Sequence, residues 1–270
     1  MTDFKEKNVL ITGAARGLGR LMAERIAELG GNLFLWDIER PGLDSLQGEL
    51  QRRGSKAFVD VCNLADHAAI YAAAEKALQQ AGHIDVLINN AGVVSGKFIT
   101  EASDEEILRT FQVNVLAHFW TTRAFLPGMI RRNSGHIVTI SSAAGIVGPA
   151  RLVDYSASKH AAVGFTDSLR LELRRQKSNI RTTLVCPYYI DTGMFAGVKT
   201  RIPWLLPIMK PEYVVNRIIK AVQRNRQRLV LPWFVLASYP CRILPTFMFD
   251  ALIELFGINR SMDEFTGRPA

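Results

Sequence analysis

The chain has 270 residues, of which 48% are hydrophobic and 21% charged, so its composition gives no support for disorder and allows a sizeable core. The net charge of +8 would suit an anionic partner, but the Lys and Arg residues are scattered and match no nucleic-acid-binding signature, so we expect no nucleic-acid partner. Three widely spaced cysteines without a CxxC pair argue against a disulfide framework and a zinc site, and they indicate a reducing compartment.

Short apolar runs alternate with segments of helical period from the N-terminus to Pro187. We predict strands at Val9–Thr12, Asn32–Asp37, Lys56–Asp60, Val86–Asn89, His136–Ser141 and Arg181–Pro187. Helices between them are predicted at Leu18–Leu29, Leu43–Arg53, Ala65–Ala81, Asp104–Ile130 and Tyr155–Arg175. This alternation predicts an α/β fold of the doubly wound type, with parallel strands and helices on both faces of the sheet. Ligands are expected beyond the carboxyl ends of the strands.

The pattern changes after Pro187. A loop rich in Thr, Gly and Pro runs to Pro211, and it is followed by a predicted helix at Glu212–Arg224 and a short strand at Leu229–Leu231. No linker is visible, so we predict a single domain. Residues 1–228 form its dinucleotide-binding and catalytic part, including a substrate loop at 191–211, and residues 229–270 form an apolar C-terminal extension.

The first predicted strand leads directly into a glycine-rich turn and then a helix. A pyrophosphate needs close approach to the backbone, and a helix N-terminus offers free N–H donors and the positive end of the helix dipole. The alternative is an ordinary tight turn, but the strand before it and the helix after it favour a dinucleotide site. We therefore predict cofactor contacts from Gly13, Arg16, Gly17, Leu18 and Gly19.

An acidic residue ends the second predicted strand about 20 residues after the glycines. There Asp37 can accept hydrogen bonds from both ribose hydroxyls and repel a 2′-phosphate, which favours NAD. Arg16 and Arg40 favour NADP instead, because a guanidinium can pair with the additional phosphate. We give Asp37 the greater weight and expect NAD.

Two further strand ends should border the same groove. Asp60 and Val61 end the third strand, and Asn90, Ala91 and Gly92 follow the fourth. The small residues allow the chain to pass close to a ligand. Taken alone these are ordinary strand-to-helix turns, whereas together with the glycine turn they outline one cofactor site.

Four polar residues form a candidate catalytic set. Tyr155 and Lys159 lie one turn apart on one predicted helix face, where an ammonium would lower the phenol pKa toward the working range. Lys159 could also hold the ribose. Ser142 could hydrogen-bond the substrate oxygen, and Asn114 could hold a water that relays protons to Lys159. Each residue also has an ordinary structural interpretation, namely a loop cap, a buried amide or an exposed helical pair.

Taken together, these motifs are similar in order and spacing to those of the short-chain dehydrogenase/reductase family. The resemblance covers roughly Asn8 to Thr192 and rests on Thr12-Gly13-x-x-x-Gly17-x-Gly19, Asn89-Asn90-Ala91-Gly92, Asn114, Ser142 and Tyr155-x-x-x-Lys159. It implies a seven-stranded Rossmann-type fold, hydride exchange with NAD or NADP, and catalytic roles for Asn114, Ser142, Tyr155 and Lys159. It also implies a homodimer or tetramer.

The resemblance extends past the sixth strand with one departure. The family usually has Pro-Gly there, whereas here Pro187 is followed by Tyr188, which we expect to shape the substrate pocket. Pro187, Ile190 and Thr192 match positions that bind the cofactor, with Ile190 and Thr192 at the nicotinamide carboxamide.

The segments around Cys186 and Leu206 resemble the branch of retinol dehydrogenases and 17β-hydroxysteroid dehydrogenases of lipid droplets and endoplasmic reticulum. This implies a lipophilic alcohol as substrate. The loop Met194–Met209 would suit such a substrate, because it is rich in side chains for an apolar pocket: Phe195, Ile202, Trp204, Leu205, Leu206 and Ile208. The alternative is a non-catalytic dinucleotide-binding protein that regulates a partner or a lipid surface, but such a protein would have no chemical reason to keep the four catalytic residues.

The C-terminal part is apolar, but charges and prolines interrupt it, so residues 229–257 fall short of a membrane-spanning helix. A segment lying on a membrane or lipid droplet and a segment covered by another subunit are equally compatible with it. Just upstream, five cations could meet anionic head groups: Arg217, Lys220, Arg224, Arg226 and Arg228.

Residues 1–7 and the histidines bear on location and on metal binding. Residues 1–7 are polar and lack an apolar core, so we expect no secretory signal and a cytoplasmic location, with possible peripheral contact to a membrane or lipid droplet. The five histidines show no metal-binding spacing, so we expect no metal and interpret them as surface or capping residues.

Overall fold

Seven strands form one parallel sheet in the computed structural model, which describes residues 1–267. They lie at β1 Asn8–Thr12, β2 Asn32–Asp37, β3 Ala57–Val61, β4 Val86–Asn89, β5 His136–Ile140, β6 Arg181–Pro187 and β7 Arg228–Leu231. Their order in the sheet is β3-β2-β1-β4-β5-β6-β7. The order reverses between β1 and β4, and at such a switch point the loops of an α/β sheet part to leave a crevice. The predicted doubly wound Rossmann-type fold is confirmed.

The helices flank the sheet on both faces. They lie at α1 Gly17–Glu28, α2 Arg40–Arg52, α3 His67–Ala81, α4 Asp104–Phe111, α5 Ala117–Arg132, α6 Val153–Arg175, α7 Pro211–Gln223, α8 Ser238–Cys241 and α9 Thr246–Leu255. Two apolar clusters result. One joins β1, β2 and β4 to α1, α2 and α7, and the other packs the opposite face of these strands against α3 and α5. The strands are buried on both faces, which explains their nearly continuous apolar sequences.

The helix predicted at Asp104–Ile130 is present without a break at residues 104–132, but it contains a π-helical turn. A capping box starts α4: Ser103 accepts from the Glu106 N–H, and the Glu106 carboxylate accepts from the Ser103 N–H. Residues Gln112–Leu116 then form a π-helical turn before α5 begins. Apolar periodicity does not distinguish a wider turn from an α-helical one, so the sequence did not show it. The turn contains Asn114.

The C-terminal extension packs against the sheet beside β7. A 3-10 turn at Trp233–Ala237 leads to α8 and α9, and Phe234, Phe249, Ile253 and Phe256 pack on buried residues of β6 and β7. Within residues 1–267, no helix is both long enough and apolar enough to cross a membrane. The division of the chain at residue 228 stays a prediction.

Candidate active site

Hydrogen bonds join the carboxyl ends of β1 and β4 at the switch point. The Thr12 hydroxyl accepts from the backbone N–H of Asn90 at 3.0 Å and of Ala91 at 3.1 Å. In return, the Asn90 side-chain amide donates to the carbonyl oxygens of Thr12 at 2.9 Å and Gly13 at 3.1 Å. These bonds fix the glycine turn against the loop that follows β4.

Two glycines of the turn lie where no side chain fits. A Cβ on Gly13 would lie 2.8 Å from the Cα of Ala91, and Gly13 has a φ of +67°. A Cβ on Gly19 would lie 2.0 Å from the carbonyl oxygen of Gly13. Contacts this short are impossible for real side chains, so both positions require glycine.

The N-terminus of α1 opens into a cleft of about 620 Å³. No side chain within residues 1–267 caps this helix end, and its first turn carries no acidic residue. Its N–H groups and the positive end of its dipole therefore suit a phosphate group. The bare glycine backbone and the uncapped helix together fit a dinucleotide cofactor.

Carboxylates surround the position expected for the adenosine ribose. Asp37 lines the cleft, and its two oxygens accept from the backbone N–H of Ala15 at 2.9 Å and of Glu39 at 3.1 Å. The guanidinium of Arg16 lies 3.4 Å from the Glu39 carboxylate. Arg40 is paired with Asp44 at 2.8 Å. Both arginines that would favour a 2′-phosphate are therefore already paired with carboxylates.

Most of the predicted cofactor residues line this cleft. They are Gly13, Arg16, Gly17, Leu18, Asp37, Asn90, Ala91, Gly92, Tyr155, Lys159, Pro187, Ile190 and Thr192. Gly19 packs behind the turn instead.

Asp60 and Val61 do not line the cleft in the part of the chain that the structure describes, and their contact with the cofactor stays a prediction. Asp60 pairs with Lys76 on α3, and Val61 is exposed. The chain reaches the cleft one residue later, because the Cys62 N–H donates to the carbonyl of Asp37. Cys62, Asn63 and Leu64 line the cleft.

Tyr155 and Lys159 lie one turn apart on α6 and are both buried. Lys159 Nζ donates to the carbonyl of Ile140 at 3.1 Å and lies 5.6 Å from the centre of the Tyr155 ring. Ser142 follows β5, and its hydroxyl accepts from the Ala144 N–H at 3.1 Å. It thus caps a 3-10 turn and also lines the cleft beside Tyr155.

Burial shifts the pKa of both reactive groups. It raises the pKa of the Tyr155 phenol, and the hydrogen bond to Ser142 opposes this only in part. Burial lowers the pKa of Lys159 from 10.5 to about 8. Both shifts disfavour the charged form, as expected in a low-dielectric site. The predicted lowering of the Tyr155 pKa by Lys159 together with a bound nicotinamide stays a prediction.

Asn114 is fully buried in the π-helical turn, and protein groups meet both ends of its side-chain amide. Its oxygen accepts from the Val93 N–H at 2.8 Å, and its nitrogen donates to the Val93 carbonyl at 2.9 Å and to Ser158 Oγ at 3.0 Å. The side chain thus ties the loop after β4 to α6. Its role in a proton relay stays a prediction.

A second cavity, of about 260 Å³, adjoins the cleft and is lined mainly by apolar groups. Four residues line both cavities: Ser142, Tyr155, Tyr188 and Phe195. Tyr155 therefore lies where the cleft meets the apolar pocket.

The substrate loop supplies less of the pocket than expected. Of its predicted lining residues, Phe195 and Leu206 line the pocket, whereas Trp204 is 83% exposed and Ile208 also faces outward. Much of the wall comes instead from residues 234–258 of the C-terminal extension. A signal for this was present, because Phe249, Leu252, Ile253 and Phe256 have the spacing of one helix face.

The interpretation of the histidines as surface or capping residues is wrong for two of them. His118 and His136 are buried, and burial lowers their pKa values to about 3 and about 4. The His136 ring is hydrogen-bonded to Thr2 and Thr183, at 3.0 and 2.8 Å. The sequence around a single histidine in a helix or strand does not show whether another element will pack over its side chain and bury it.

Comparison with known sequences shows which family and which proteins the chain is similar to. The sequence model described as short chain dehydrogenase matches residues 7–202. Short-chain dehydrogenase/reductase family 16C member 6 of Bos taurus is 44% identical over 98% of this chain and 85% of its own length. Epidermal retinol dehydrogenase 2 of Mus musculus is 40% identical over 96% and 85%. Estradiol 17-beta-dehydrogenase 11 of Pongo abelii is 42% identical over 83% and 74%.

Solved structures agree with the sequence comparison. A short chain dehydrogenase/reductase from Burkholderia phymatum, in complex with NAD, superposes with a TM-score of 0.81 at 29% identity, covering 88% of this chain and 93% of that one. A metagenomic short-chain oxidoreductase in complex with NADP gives a TM-score of 0.72 at 29% identity, covering 85% and 98%. Both nucleotides therefore occur among the structural neighbours.

We expect Lys159→Met to stabilise the fold while it removes catalysis. The depressed Lys159 pKa means that the folded state disfavours the ammonium, so the wild type carries a penalty of about 1 to 3 kcal/mol at pH 7. This penalty is fully present below pH 8 and disappears as the pH rises toward 10.5, where the unfolded state also loses the proton. Urea unfolding at pH 7 and pH 10 measures the difference.

The exposed Lys220 on α7 provides a matched control, because Lys220→Met removes a cation that water solvates in both states. It should leave the unfolding free energy almost unchanged. A Lys159→Met protein less stable than the wild type at pH 7, or equally different at both pH values, would contradict the burial argument.

Proposed function

The chain belongs to the short-chain dehydrogenase family, and we propose that it interconverts a lipophilic alcohol and its carbonyl with NAD as the hydride carrier. Family membership makes it an NAD(P)-dependent oxidoreductase that acts on CH–OH groups. One observation carries the proposal for the substrate: the Tyr155 side chain borders both the polar cleft and the apolar pocket. An apolar molecule in the pocket can thus present an oxygen to the phenol.

The chemistry divides between the cofactor and the protein. When bound, the nicotinamide supplies the hydride acceptor or donor. In the oxidative direction the substrate hydroxyl gives its proton to Tyr155 Oη, and in reduction the phenol returns it to the carbonyl oxygen. The Ser142 hydroxyl donates to the same substrate oxygen as charge develops on it. Lys159 stabilises the phenolate through space and is fixed by Ile140.

The composition of the pocket favours a substrate with one polar end. The wall contributed by residues 234–258 consists mostly of apolar side chains, with Ser238 and Cys241 as exceptions, whereas Ser142 and Tyr155 line the side shared with the cleft. A second polar group deep in the pocket would lose its hydrogen bonds to water without full replacement. Retinoids and long-chain alcohols fit this description better than a steroid diol. Relatives named as retinol and estradiol dehydrogenases support the same lipophilic class.

We expect Tyr155→Phe to abolish turnover and to leave NAD binding nearly unchanged, because the substitution removes only the proton-transferring hydroxyl. Since burial raises the Tyr155 pKa, alcohol oxidation, which needs the phenolate, should become faster with rising pH across the alkaline range. Carbonyl reduction, which needs the protonated phenol, should be faster at lower pH. NADH absorbance at 340 nm measures oxidation with a panel of retinol, hydroxysteroids and long-chain alcohols, and it measures reduction with the corresponding carbonyl compounds.

Equal activity of wild type and Tyr155→Phe would contradict this mechanism. If the wild type binds dinucleotide but converts no member of the panel, the non-catalytic regulatory protein becomes the better interpretation.

The cofactor preference is inferred from charge. The Asp37 carboxylate lines the cleft, and the Arg16 guanidinium lies 3.4 Å from the Glu39 carboxylate, so a 2′-phosphate would meet negative charge at this end of the cleft. We expect Asp37→Ser to weaken NAD use by a factor on the order of ten to a hundred in kcat/KM, the effect of losing charged hydrogen bonds. NADP use should rise.

The control is Glu28→Gln, which breaks an exposed ion pair with Arg25 at the carboxyl end of α1 and should leave the preference for NAD unchanged. A wild type that uses NADP as well as NAD would refute the charge argument.

We further infer that the outer face of the C-terminal extension lies on a lipid surface. Trp233, Ile243 and Phe247 are 74%, 87% and 73% exposed, while the inner face of α9 lines the substrate pocket. Beside α9, Lys199, Arg201 and Arg260 line a further cavity. Lys199 and Arg260 are paired with Glu264 and Glu254, and Arg201 can meet anionic head groups. Arg228, one of the cations expected to do so, is instead paired with Asp167 at 2.6 Å.

We expect the combined substitutions Trp233→Ser and Phe247→Ser to lower vesicle affinity by at least tenfold, since each aromatic side chain contributes about 1.5 to 3 kcal/mol when it leaves water. Co-sedimentation with phospholipid vesicles, neutral and anionic, measures the loss. Ile130→Ser is the matched control, because Ile130 is 42% exposed but lies near the amino end of β5, away from the site. Wild-type protein that binds neither neutral nor anionic vesicles would contradict the inference.

We infer from family membership that two copies of the chain form a homodimer through α5 and α6. Phe119 on α5 and Leu171 on α6 remain largely exposed, as expected of side chains that a second copy would cover. A monomeric mass by light scattering would rule out this assembly.

A further inference from the structure

The last part of the described chain folds back across the catalytic edge of the sheet. We call residues 258–267 the C-terminal strap. Its backbone is bonded to the substrate loop: the N–H groups of Thr266 and Gly267 donate to the Ala196 carbonyl at 3.0 and 3.3 Å, and the Lys199 N–H donates to the Ser261 carbonyl at 3.2 Å. The strap thus holds the loop that carries Phe195.

Glycines in two loops make room for the strap. A Cβ on Gly197 would lie 2.0 Å from the carbonyl oxygen of Glu264, and a Cβ on Gly96 would lie 2.0 Å from the Phe265 ring. Both glycines also have positive φ values, +85° and +68°. The close packing of the strap therefore depends on residues far from it in sequence.

The strap also holds the start of the catalytic helix. The Asn259 side-chain oxygen accepts from the Ala150 N–H at 3.1 Å, and Arg151 Nη1 donates to the carbonyls of Met262 and Asp263 at 3.4 and 3.3 Å. Arg151 has a φ of +62°, an unusual conformation for a residue with a side chain. Helix α6 begins two residues later.

Aromatic contacts run from the strap to the catalytic tyrosine. The Phe195 ring lies 5.6 Å from the Tyr155 ring, in an edge-on arrangement, and 6.3 Å from the Phe265 ring. It also lies 5.1 Å from the Tyr189 ring. Such contacts between rings depend on orientation, so movement of one ring changes the position of the next.

A buried hydrogen bond secures this cluster. Tyr189 Oη and Ser261 Oγ are 2.9 Å apart, and Ser261 Oγ also donates to the carbonyl of Ile258 at 2.7 Å. A serine hydroxyl has one proton, so the Tyr189 hydroxyl is the donor in their bond. Within the described chain, neither Ser261 nor Phe265 lines the cleft or the pocket.

We propose that the C-terminal strap is a positioning element for Tyr155. It acts through the Tyr189–Ser261 hydrogen bond and through the contact of Phe265 with Phe195. Proton transfer requires the phenol oxygen at hydrogen-bond distance from the substrate oxygen, and small displacements slow such steps strongly. This proposal rests on the proposed function, in which Tyr155 transfers the proton.

The hydrogen bond is tested by Tyr189→Phe and Ser261→Ala, alone and combined. Each single substitution should lower kcat for an apolar alcohol by a factor on the order of five to ten, with an unchanged KM for NAD because the cleft is intact. The combined variant should be no slower than the slower single variant, because both remove the same bond. Effects that multiply in the combined variant would overturn the proposal.

A control and a rescue separate positioning from general stability. Glu264→Gln breaks the exposed ion pair between the strap and Lys199, and it should leave kcat unchanged. Phe265→Ala should lower kcat, whereas Phe265→Tyr, which keeps the ring, should retain it. Equal losses in the Ala and Tyr variants, or a comparable loss in Glu264→Gln, would show that the strap does not act through these contacts.

Hydrogen exchange tests the strap without turnover. Amides at 150–156 and 194–199 should exchange faster in Tyr189→Phe and Phe265→Ala than in the wild type, and Glu264→Gln should match the wild type. Unchanged exchange overturns the strap proposal even if the enzyme is active. A wild type without alcohol turnover overturns the proposed function, and exchange alone then decides whether the strap holds these loops.

Discussion

The site depends on the hydrogen bonds that join β1 to β4 at the centre of the sheet. Thr12 and Asn90 satisfy backbone groups at the ends of two parallel strands, where no further strand residue can pair with them. The same bonds set the distance between the glycine turn and the loop after β4, which is too short for a Cβ on Gly13. The cleft, the open end of α1 and the approach to Tyr155 all follow from this junction.

The side chains of Tyr155 and Lys159 lie in a buried site, where ionisation of a side chain is unfavourable. Burial acts against ionisation of both Tyr155 and Lys159, so the site gives up stability to keep two titratable side chains out of water. The same low dielectric strengthens every interaction with charge that develops on the substrate oxygen. Polar contacts of Asn114 and Ser142 with backbone groups hold the surrounding loops in place. Burial of these two side chains on α6 therefore lowers the stability of the fold while it favours catalysis.

The C-terminal residues 233–267 have three different surroundings: the apolar pocket, solvent and the loops at the catalytic edge. Inward-facing side chains of α9 form the wall of the pocket, and outward-facing ones remain exposed beside a basic cavity. The strap then returns to the catalytic edge and contacts the loops before α6 and after β6. The pocket wall, the exposed apolar face and the contacts that we propose to position Tyr155 therefore lie in one segment of the chain, which follows the seventh strand.

The sequence by itself determined the parts that depend on local order. Apolar periodicity located all seven strands to within one residue at each end. The spacing of Tyr155 and Lys159 placed them on one helix face. It could not locate the π-helical turn around Asn114, the burial of His118, or the lining of the cleft by Cys62 after β3, because each depends on neighbours distant in the chain. Only the tertiary structure decided that residues 234–258 enclose the pocket and that Ser261 and Phe265 reach Tyr189 and Phe195. Those contacts join segments more than 60 residues apart, and a linear pattern records which residues are apolar but not which surface will cover them.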